Sequence, residues 1–151
     1  MPTVTPSVGF TGKGGTIAIS TDGTTFTTLK QPQKISQSGQ KSNFADITNL
    51  SSPDAFNEWL PTTIDSGSLS FSLIADPTDT SQLMLLSAFN AQTKLTVKLQ
   101  YPPVGTQVTG LLKTFAAYVE TATAPTMDVT SASTIDVSLK ITGPVSDTAG
   151  S

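Results

Sequence analysis

The chain has 151 residues and a net charge of −3; its eight basic residues are all lysine, and it contains neither histidine nor cysteine. An acidic chain without arginine is poorly suited to hold nucleic acid tightly, and the lack of cysteine excludes disulfides and thiol nucleophiles. The most frequent general base and metal ligands are also missing, so we expect no enzyme activity and no cofactor. Abundant threonine, glycine and proline favour a single all-β domain.

The first predicted elements are a flexible N-terminal arm over residues 1–15 and a strand over Thr16–Ser20. The arm ends in Gly12-Lys13-Gly14-Gly15. This run lacks the spacing of a phosphate-binding loop, so it is predicted to be a glycine-rich turn. After the strand, Asp22-Gly23 is typical of a hairpin turn.

Three further strands are predicted before the helix. One begins at Phe26, continues through Leu29 and runs on to Ile35, and the next covers Asn43–Thr48. The strongest pattern covers Ser66–Ala75, where large apolar residues alternate with serines. Alternation with a period of two indicates a strand that is buried on one face.

The only good helix pattern covers about residues 80–91. Asp79 and Gln82 have the spacing of a capping box, which predicts the start of the helix. Leu83, Leu86 and Phe89 recur every three residues, with further apolar residues beside them. This stripe is predicted to be buried against one end or face of the sheet.

Three more strands are predicted over Thr93–Gln100, Leu111–Thr121 and Ile135–Ile141. Gly143-Pro144 is expected to end the last strand, which leaves residues 144–151 as a C-terminal tail. Together the elements predict one all-β domain over residues 16–143. Its expected architecture is a β-sandwich or barrel of about seven strands with one flanking α-helix.

The connection over residues 49–65 is unusual, because it carries the large apolar side chains of Phe56, Trp59 and Leu60 without strand alternation. Ser52 and Pro53 suit a helix start, and the three apolar residues would then share one helical face that ends before Pro61. A helix this short must pack against something. Two partners remain open from the residues alone: the core of the same domain, or another subunit.

An ordered set of short motifs surrounds this connection. It consists of Thr48-Asn49, Ser52-Pro53, Glu58-Trp59-Leu60-Pro61 and Asp65-Ser66-Gly67 ahead of an alternating strand. The set resembles the tail tube proteins of long-tailed, non-contractile bacteriophages. The sequence departs from that pattern at Ser51, where an acidic residue is common, and at Thr62, where a glycine is common.

The resemblance implies a structural role and no enzyme activity. Family members form rings of six subunits that share an inner β-barrel, and their loops and arms join one ring to the next in a hollow tail tube. Partners would then be copies of the same chain, other tail proteins and double-stranded DNA in transit. The implied location is the virion tail, after assembly in the host cytoplasm.

The resemblance also suggests two sets of site residues. The candidate subunit interface lies in the long connection and comprises Leu50, Pro53, Phe56, Trp59, Leu60 and Pro61. Glu120 and Asp136 are candidates for acidic residues that line the channel and repel phosphates; alternatively, they are charges of the outer surface. No run of about 18 apolar residues could span a bilayer, and Met1–Pro6 does not resemble a signal peptide.

Two other kinds of protein share this composition. One is a secreted carbohydrate-binding or adhesin-type β-sandwich module, which would usually show a signal peptide and exposed aromatic residues. The other is a different virion component, such as a tail terminator or a capsid decoration protein. The motifs between Thr48 and Gly67 favour the tail tube subunit over both.

Overall fold

A computed structural model describes residues 11–30, 32–54 and 56–151. Most of the predicted N-terminal arm, residues 1–10, therefore lies outside the described residues. The predicted glycine-rich turn is confirmed, because the Gly15 N–H donates to the Gly12 carbonyl at 3.2 Å. It leads directly into the first strand.

The described residues form nine strands and one helix. In chain order they are β1 (Thr16–Ser20), β2 (Thr27–Thr28), β3 (Pro32–Gln37), β4 (Lys41–Asp46), β5 (Trp59–Asp65), β6 (Ser68–Ile74), α1 (Thr80–Ala91), β7 (Leu95–Gln100), β8 (Leu112–Ala122) and β9 (Thr134–Thr148).

Seven strands form one antiparallel sheet in the order β2-β1-β7-β8-β9-β6-β3. Only three residues separate β2 from β3, yet these strands lie at opposite edges. A flat sheet of this width would place its edges about 29 Å apart, whereas four Cα–Cα steps span at most about 15 Å. The sheet must therefore curl until its two edges approach each other, which gives a barrel-like shape.

This topology corrects the prediction of one strand from Phe26 to Ile35. The segment contains β2 and β3, and Leu29 between them is buried. Only the hydrogen bonds to β1 and β6 assign these strands to different edges. The bonds from β3 to β6 join residues that are far apart in the sequence, so a local pattern could not reveal the break.

The core fills the inside of the curled sheet. It consists of the inward apolar residues of β1, β6, β7, β8 and β9, together with Leu29 and two residues of α1. Leu69, Leu95 and Leu139 are fully buried, as are Ile17 and Ile19. The alternation that predicted these strands is therefore confirmed as one-sided burial. The architecture agrees with the predicted all-β sandwich or barrel with one flanking helix, and the curled sheet gives it the barrel-like form.

The predicted end of the last strand at Gly143-Pro144 is wrong, because β9 continues to Thr148. Thr142 pairs with Ala116 and Ser146 with Thr114, so three residues of β9 lie opposite one residue of β8. This bulge accommodates the positive φ of Gly143 and the missing N–H of Pro144. Residues 144–148, predicted as tail, thus extend the sheet.

Helix α1 begins as predicted, with the Asp79 side chain accepting a hydrogen bond from the Ser81 N–H. The capping box is not completed, since the Gln82 side chain bonds to Ile74 and Asp76 instead. The predicted buried stripe is also wrong in part. Leu85 and Ala88 face the core, while Leu83 is 52% exposed and Phe89 39% exposed.

Candidate self-assembly interface

Strands β4 and β5 form a separate two-stranded ribbon that joins the barrel at one end. The short helix predicted between Ser52 and Leu60 is not found in the described residues: those before Trp59 lie in the connection from β4 to β5, and Trp59 and Leu60 belong to β5. Pro61 pairs with Phe44 inside β5, next to a bulge at Thr62 and Thr63 opposite Asn43. A two-stranded antiparallel ribbon tolerates this proline because the outer edge of β5 needs no N–H donor.

The strand register gives the ribbon one apolar face. Phe44 lies opposite Pro61, Ser42 lies opposite Ile64, and Trp59 follows on the same side as Pro61. Phe44 and Trp59 together line a shallow hollow. We define the docking face by its four apolar members: Phe44, Trp59, Pro61 and Ile64.

Three large side chains of the docking face are exposed to solvent: Phe44 at 58%, Trp59 at 57% and Ile64 at 69%. An isolated two-stranded ribbon in water is only marginally stable. A contiguous apolar patch on such a ribbon is a common mark of an interaction site. Phe56, Trp59 and Leu60 are also more than half exposed, which argues against the open alternative that this trio packs on the core of its own domain.

The predicted interface residues do not share one face. Leu60 lies opposite Ala45 on the reverse side of the ribbon from Trp59, because successive strand residues point in opposite directions. Leu50, Pro53 and Phe56 lie in the connection at the ribbon tip and are exposed. The helical grouping of Phe56, Trp59 and Leu60 is therefore wrong.

Sequence reasoning missed Phe44 and Ile64 as members of this surface. Phe44 lies in the strand predicted over Asn43–Thr48, which has no predicted binding role, and Ile64 lies in the connection over residues 49–65. The sequence offers little signal for this face, because Phe44 is the only apolar residue among Ser42, Phe44 and Asp46 on that side of β4. The proline and the bulge in β5 concealed the second strand of the ribbon.

The ribbon tip is held by polar contacts of its own. Thr48 exchanges hydrogen bonds with Glu58, whose N–H donates to the Thr48 hydroxyl at 2.8 Å. The Ser52 hydroxyl donates to the Glu58 carboxylate at 2.6 Å. Asp46 accepts from the Thr48 N–H, and its pKa is lowered by hydrogen bonds from Thr48. The ribbon thus keeps its shape although the barrel does not cover it.

At the ribbon root, Asp65 joins the ribbon to the barrel. Its carboxylate accepts from the Gly67 N–H at 2.9 Å and lies 3.5 Å from the Lys140 ammonium. The Gly67 hydrogen bond and, to a smaller extent, the Lys140 charge lower the pKa of the Asp65 carboxyl. Ser66 donates to the Gly143 carbonyl at 2.6 Å, which ties the same point to the β9 bulge.

The two predicted acidic residues lie on the outside of the barrel. Asp136 is on the outward face of β9 and accepts from the Ser72 hydroxyl at 2.7 Å. Glu120 is exposed in β8 at an irregularity beside Ser138. The surroundings form a shallow groove across β3, β6, β9 and β8 that is rich in hydroxyl groups; it is lined by Lys34, Ser36, Ser70, Ser72, Thr121, Thr123, Asp136 and Ser138, among others.

A second apolar surface lies beside α1. It is a cavity of about 350 Å³ between the helix and the connection from β8 to β9. We call it the helix-end groove; its apolar lining residues are Ala75, Pro77, Leu83, Leu86, Pro125 and Ile135. The exposed Leu83 is thus part of an apolar hollow.

The helix-end groove and the ribbon lie at opposite ends of the barrel. Strand β6 begins next to the ribbon root at Ser68 and ends at Ile74, immediately before the residues of the groove. Ala75 donates to the Ser133 carbonyl, which fixes the connection from β8 to β9 at that end. Seven strand residues separate the two ends by roughly 20 Å.

Other kinds of site are not found in the part of the chain that the structure describes. It contains no group of three or more acidic, histidine or cysteine residues arranged to hold a metal ion. None of its helices is long and apolar enough to cross a membrane.

The fold is that of solved tail tube subunits. The tail of an empty gene transfer agent particle, refined with C6 symmetry, gives a TM-score of 0.70 at 16% identity, over 93% of this chain and 100% of that chain. The SPP1 tail tube gives 0.68 at 14% identity, over 93% and 80%. The sheath-tube complex of an extracellular contractile injection system gives 0.59 at 14% identity, over 89% and 88%. A comparison with curated proteins found no match.

The chain therefore shares the fold of these tail and tube structures. Residues 5–150 match the sequence profile of the phage tail tube protein. The chain belongs to the phage tail tube protein family and is a structural subunit of the virion tail. The resemblance seen in the motifs around the ribbon is confirmed.

Proposed function

We propose that copies of this chain form hexameric rings that stack into a hollow tube through which the phage genome passes. The observation that carries the proposal is the exposed docking face on a ribbon that projects from the curled sheet. The solved tail with C6 symmetry, which has this fold, supports a ring of six. Other tail proteins would bind the ends of the tube, and assembly would take place in the host cytoplasm.

In this proposal the ribbon makes contacts between subunits. Phe44, Trp59, Pro61 and Ile64 form its main apolar surface, and Leu60 on the reverse face would contact a different neighbouring copy. Leu50, Pro53 and Phe56 at the tip would be covered by the same assembly. Burial of apolar area at about 25 cal/mol per Å² provides the driving force.

The hydroxyl-rich groove on the outward sheet face is the proposed lining of the channel. Its hydroxyl groups are neutral, and Asp136 and Glu120 add negative charge that repels phosphates. Lys34 is the cation that lines the groove, and Lys140, which lies outside the groove on the same sheet face, is paired with Asp65. A lining with little positive charge would let DNA slide, because tight DNA binding depends on contacts from lysine and arginine to phosphates.

Electron microscopy of the purified protein at increasing concentration tests the proposal. We expect regular hollow tubes above a critical concentration, because each stacking contact is repeated around a ring. Protein that stays monomeric at every concentration would contradict self-assembly by this chain alone.

A further inference from the structure

The turn after β1 holds the only Asp-Gly pair of the sequence, which has no Asn-Gly pair. Asp-Gly pairs are prone to a slow reaction within the chain, because glycine has no Cβ to shield its backbone nitrogen. We propose that Asp22-Gly23 is a latent site of isoaspartate formation and that the Ser20 hydroxyl group keeps it unreactive in the folded protein. This inference concerns the chemical durability of the chain and does not depend on the proposed tube.

The reaction at Asp22 needs no reagent other than water. The Gly23 backbone nitrogen attacks Cγ of the protonated Asp22 carboxyl group and forms an N–Cγ bond. The nitrogen loses its proton, and the carboxyl hydroxyl group leaves with a proton as water, which gives a five-membered succinimide ring. Water then adds to the main-chain carbonyl carbon of Asp22 and breaks its bond to the Gly23 nitrogen. The product is isoaspartate, in which the main chain runs through Cβ and Cγ and is one atom longer.

The Ser20 hydroxyl group contacts both reacting groups. It donates to Asp22 Oδ1 at 2.7 Å, and its oxygen accepts from the Gly23 N–H at 2.9 Å. The Gly23 nitrogen can reach Cγ of Asp22 only after these hydrogen bonds have been broken. Ser20 is fully buried, so its hydroxyl group is held in place between the nucleophile and the carboxyl group.

Other contacts of the turn keep Asp22 in its unreactive charge state. Asp22 Oδ1 also accepts from the backbone N–H groups of Thr24 and Thr25, each at 2.9 Å. The hydrogen bond from Thr25, followed by those from Ser20 and Thr24, lowers the pKa of the Asp22 carboxyl group. A carboxylate is a poor electrophile, because it has no hydroxyl group to lose as water. The folded chain therefore contains less of the reactive acid than an unfolded peptide does.

The isoaspartate product would disturb the edge of the sheet. Strand β2 consists of two residues, which pair Thr28 with Ala18 and Thr27 with Ile19. An additional main-chain atom in the connection before β2 would shift this short pairing. Leu29, which follows β2 directly, is buried in the core and would be displaced with it.

Mass spectrometry of aged protein tests the protection by Ser20. Purified unmodified protein and Ser20→Ala are incubated at physiological temperature and neutral pH and sampled over several weeks. Cleavage after lysine releases Gly14–Lys30, in which Asp22 is the only acidic residue, so its isoaspartate form can be separated and quantified. A synthetic peptide of the same residues gives the rate without the fold. The matched control is Ile19→Val, which shortens a buried neighbour and leaves the hydrogen bonds of the turn intact.

We expect isoaspartate to form about tenfold or more slowly in the folded protein than in the peptide. Ser20→Ala should accelerate it about fivefold or more while folded, because both hydrogen bonds of the hydroxyl group are lost. Ile19→Val should age as the unmodified protein does.

Folded protein that forms isoaspartate as fast as the peptide would contradict any protection of the site. A rate in Ser20→Ala equal to that of the unmodified protein would show that the hydroxyl group does not protect. Equal acceleration in Ile19→Val would assign the effect to lower stability and overturn the role of Ser20. Each of these results leaves the proposed function standing, since none of them measures tube formation.

Discussion

Gly67 shows how one residue fixes the direction of the ribbon. Its φ of +81° lies in the left-handed region, and an added Cβ would come within 2.5 Å of the Ser38 hydroxyl oxygen and 2.9 Å of the Ser38 carbonyl oxygen. Both constraints favour glycine over every other residue. The same residue donates to Asp65 and accepts from the Ile141 N–H, so it links the ribbon root to the barrel.

Gly67→Ala should therefore lower the free energy of unfolding by about 1–3 kcal/mol, through backbone strain and the close contact with Ser38. Denaturant unfolding followed by circular dichroism measures this value. Gly39→Ala is the matched control, because an added Cβ at Gly39 meets no atom within 4 Å. Equal stability of both variants would show that Gly67 does not constrain the root.

Asp136 allows a test of the proposed channel lining, because it is the best-defined acidic residue of that surface. Asp136→Lys replaces a repelling carboxylate with a cation in every subunit, so phage carrying it should assemble tails but eject DNA more slowly. Thr21→Lys, in the exposed turn after β1, is the control for an added lysine. The measurement is the rate of DNA ejection in vitro.

Unchanged ejection by assembled Asp136→Lys particles would contradict the electrostatic part of the proposal. The Ser72 hydrogen bond to Asp136 is lost in the variant, so its thermal stability has to be measured alongside. If Asp136→Lys subunits still assemble into normal tubes, a change in the ejection rate is caused by the channel charge and not by misfolding.

Among the elements, those buried on one side could be predicted from the sequence. Strand β6 and the first half of β9 alternate because one face packs in the core, and α1 begins at Thr80, directly after its N-cap residue Asp79. Strand β5 could not be found in this way. All of its residues are exposed, so burial imposes no alternation on them, and Pro61 suggested a break.

The extension of β9 was missed for a different reason. Gly143 and Pro144 commonly end strands, but here a bulge absorbs both, and β8 continues to pair with residues beyond them. The apolar stripe of α1 is also so wide that the sequence alone does not show which of its residues are buried. Packing against β8 selects Leu85 and Ala88, and Leu83 is left for the helix-end groove.

The ribbon as an element should matter for assembly and not for folding. The double variant Phe44→Ser/Trp59→Ser removes two exposed aromatic side chains, so its free energy of unfolding should change little. The critical concentration for tube formation should rise about tenfold or more, because buried aromatic anchors each contribute about 2 kcal/mol or more to interfaces. Light scattering at increasing protein concentration measures the change.

Val108→Ser is the control for this variant, since Val108 is also an exposed apolar residue and lies in the connection between β7 and β8. It should assemble as the unmodified protein does. Assembly of the double variant at the unmodified critical concentration would show that the docking face is not part of a contact.

In the whole molecule, the proposed functions belong to different parts of the curled sheet. One end of the barrel carries the ribbon, and the outward sheet face carries hydroxyl groups and carboxylates, while the helix-end groove lies at the other end. The resemblance in the motifs predicted the family. It could not predict the groove, because its residues come from three separate parts of the chain and meet only after the sheet has curled.

The central claim is that copies of this chain stack head to tail into a tube. A helical reconstruction of the assembled protein by electron cryomicroscopy tests it most directly. We expect six subunits in each ring, the Asp136 face towards the channel, and the ribbon of each copy in contact with the next ring. Tubes in which the ribbon of every copy points into solvent, with Phe44 and Trp59 uncovered, would contradict the account.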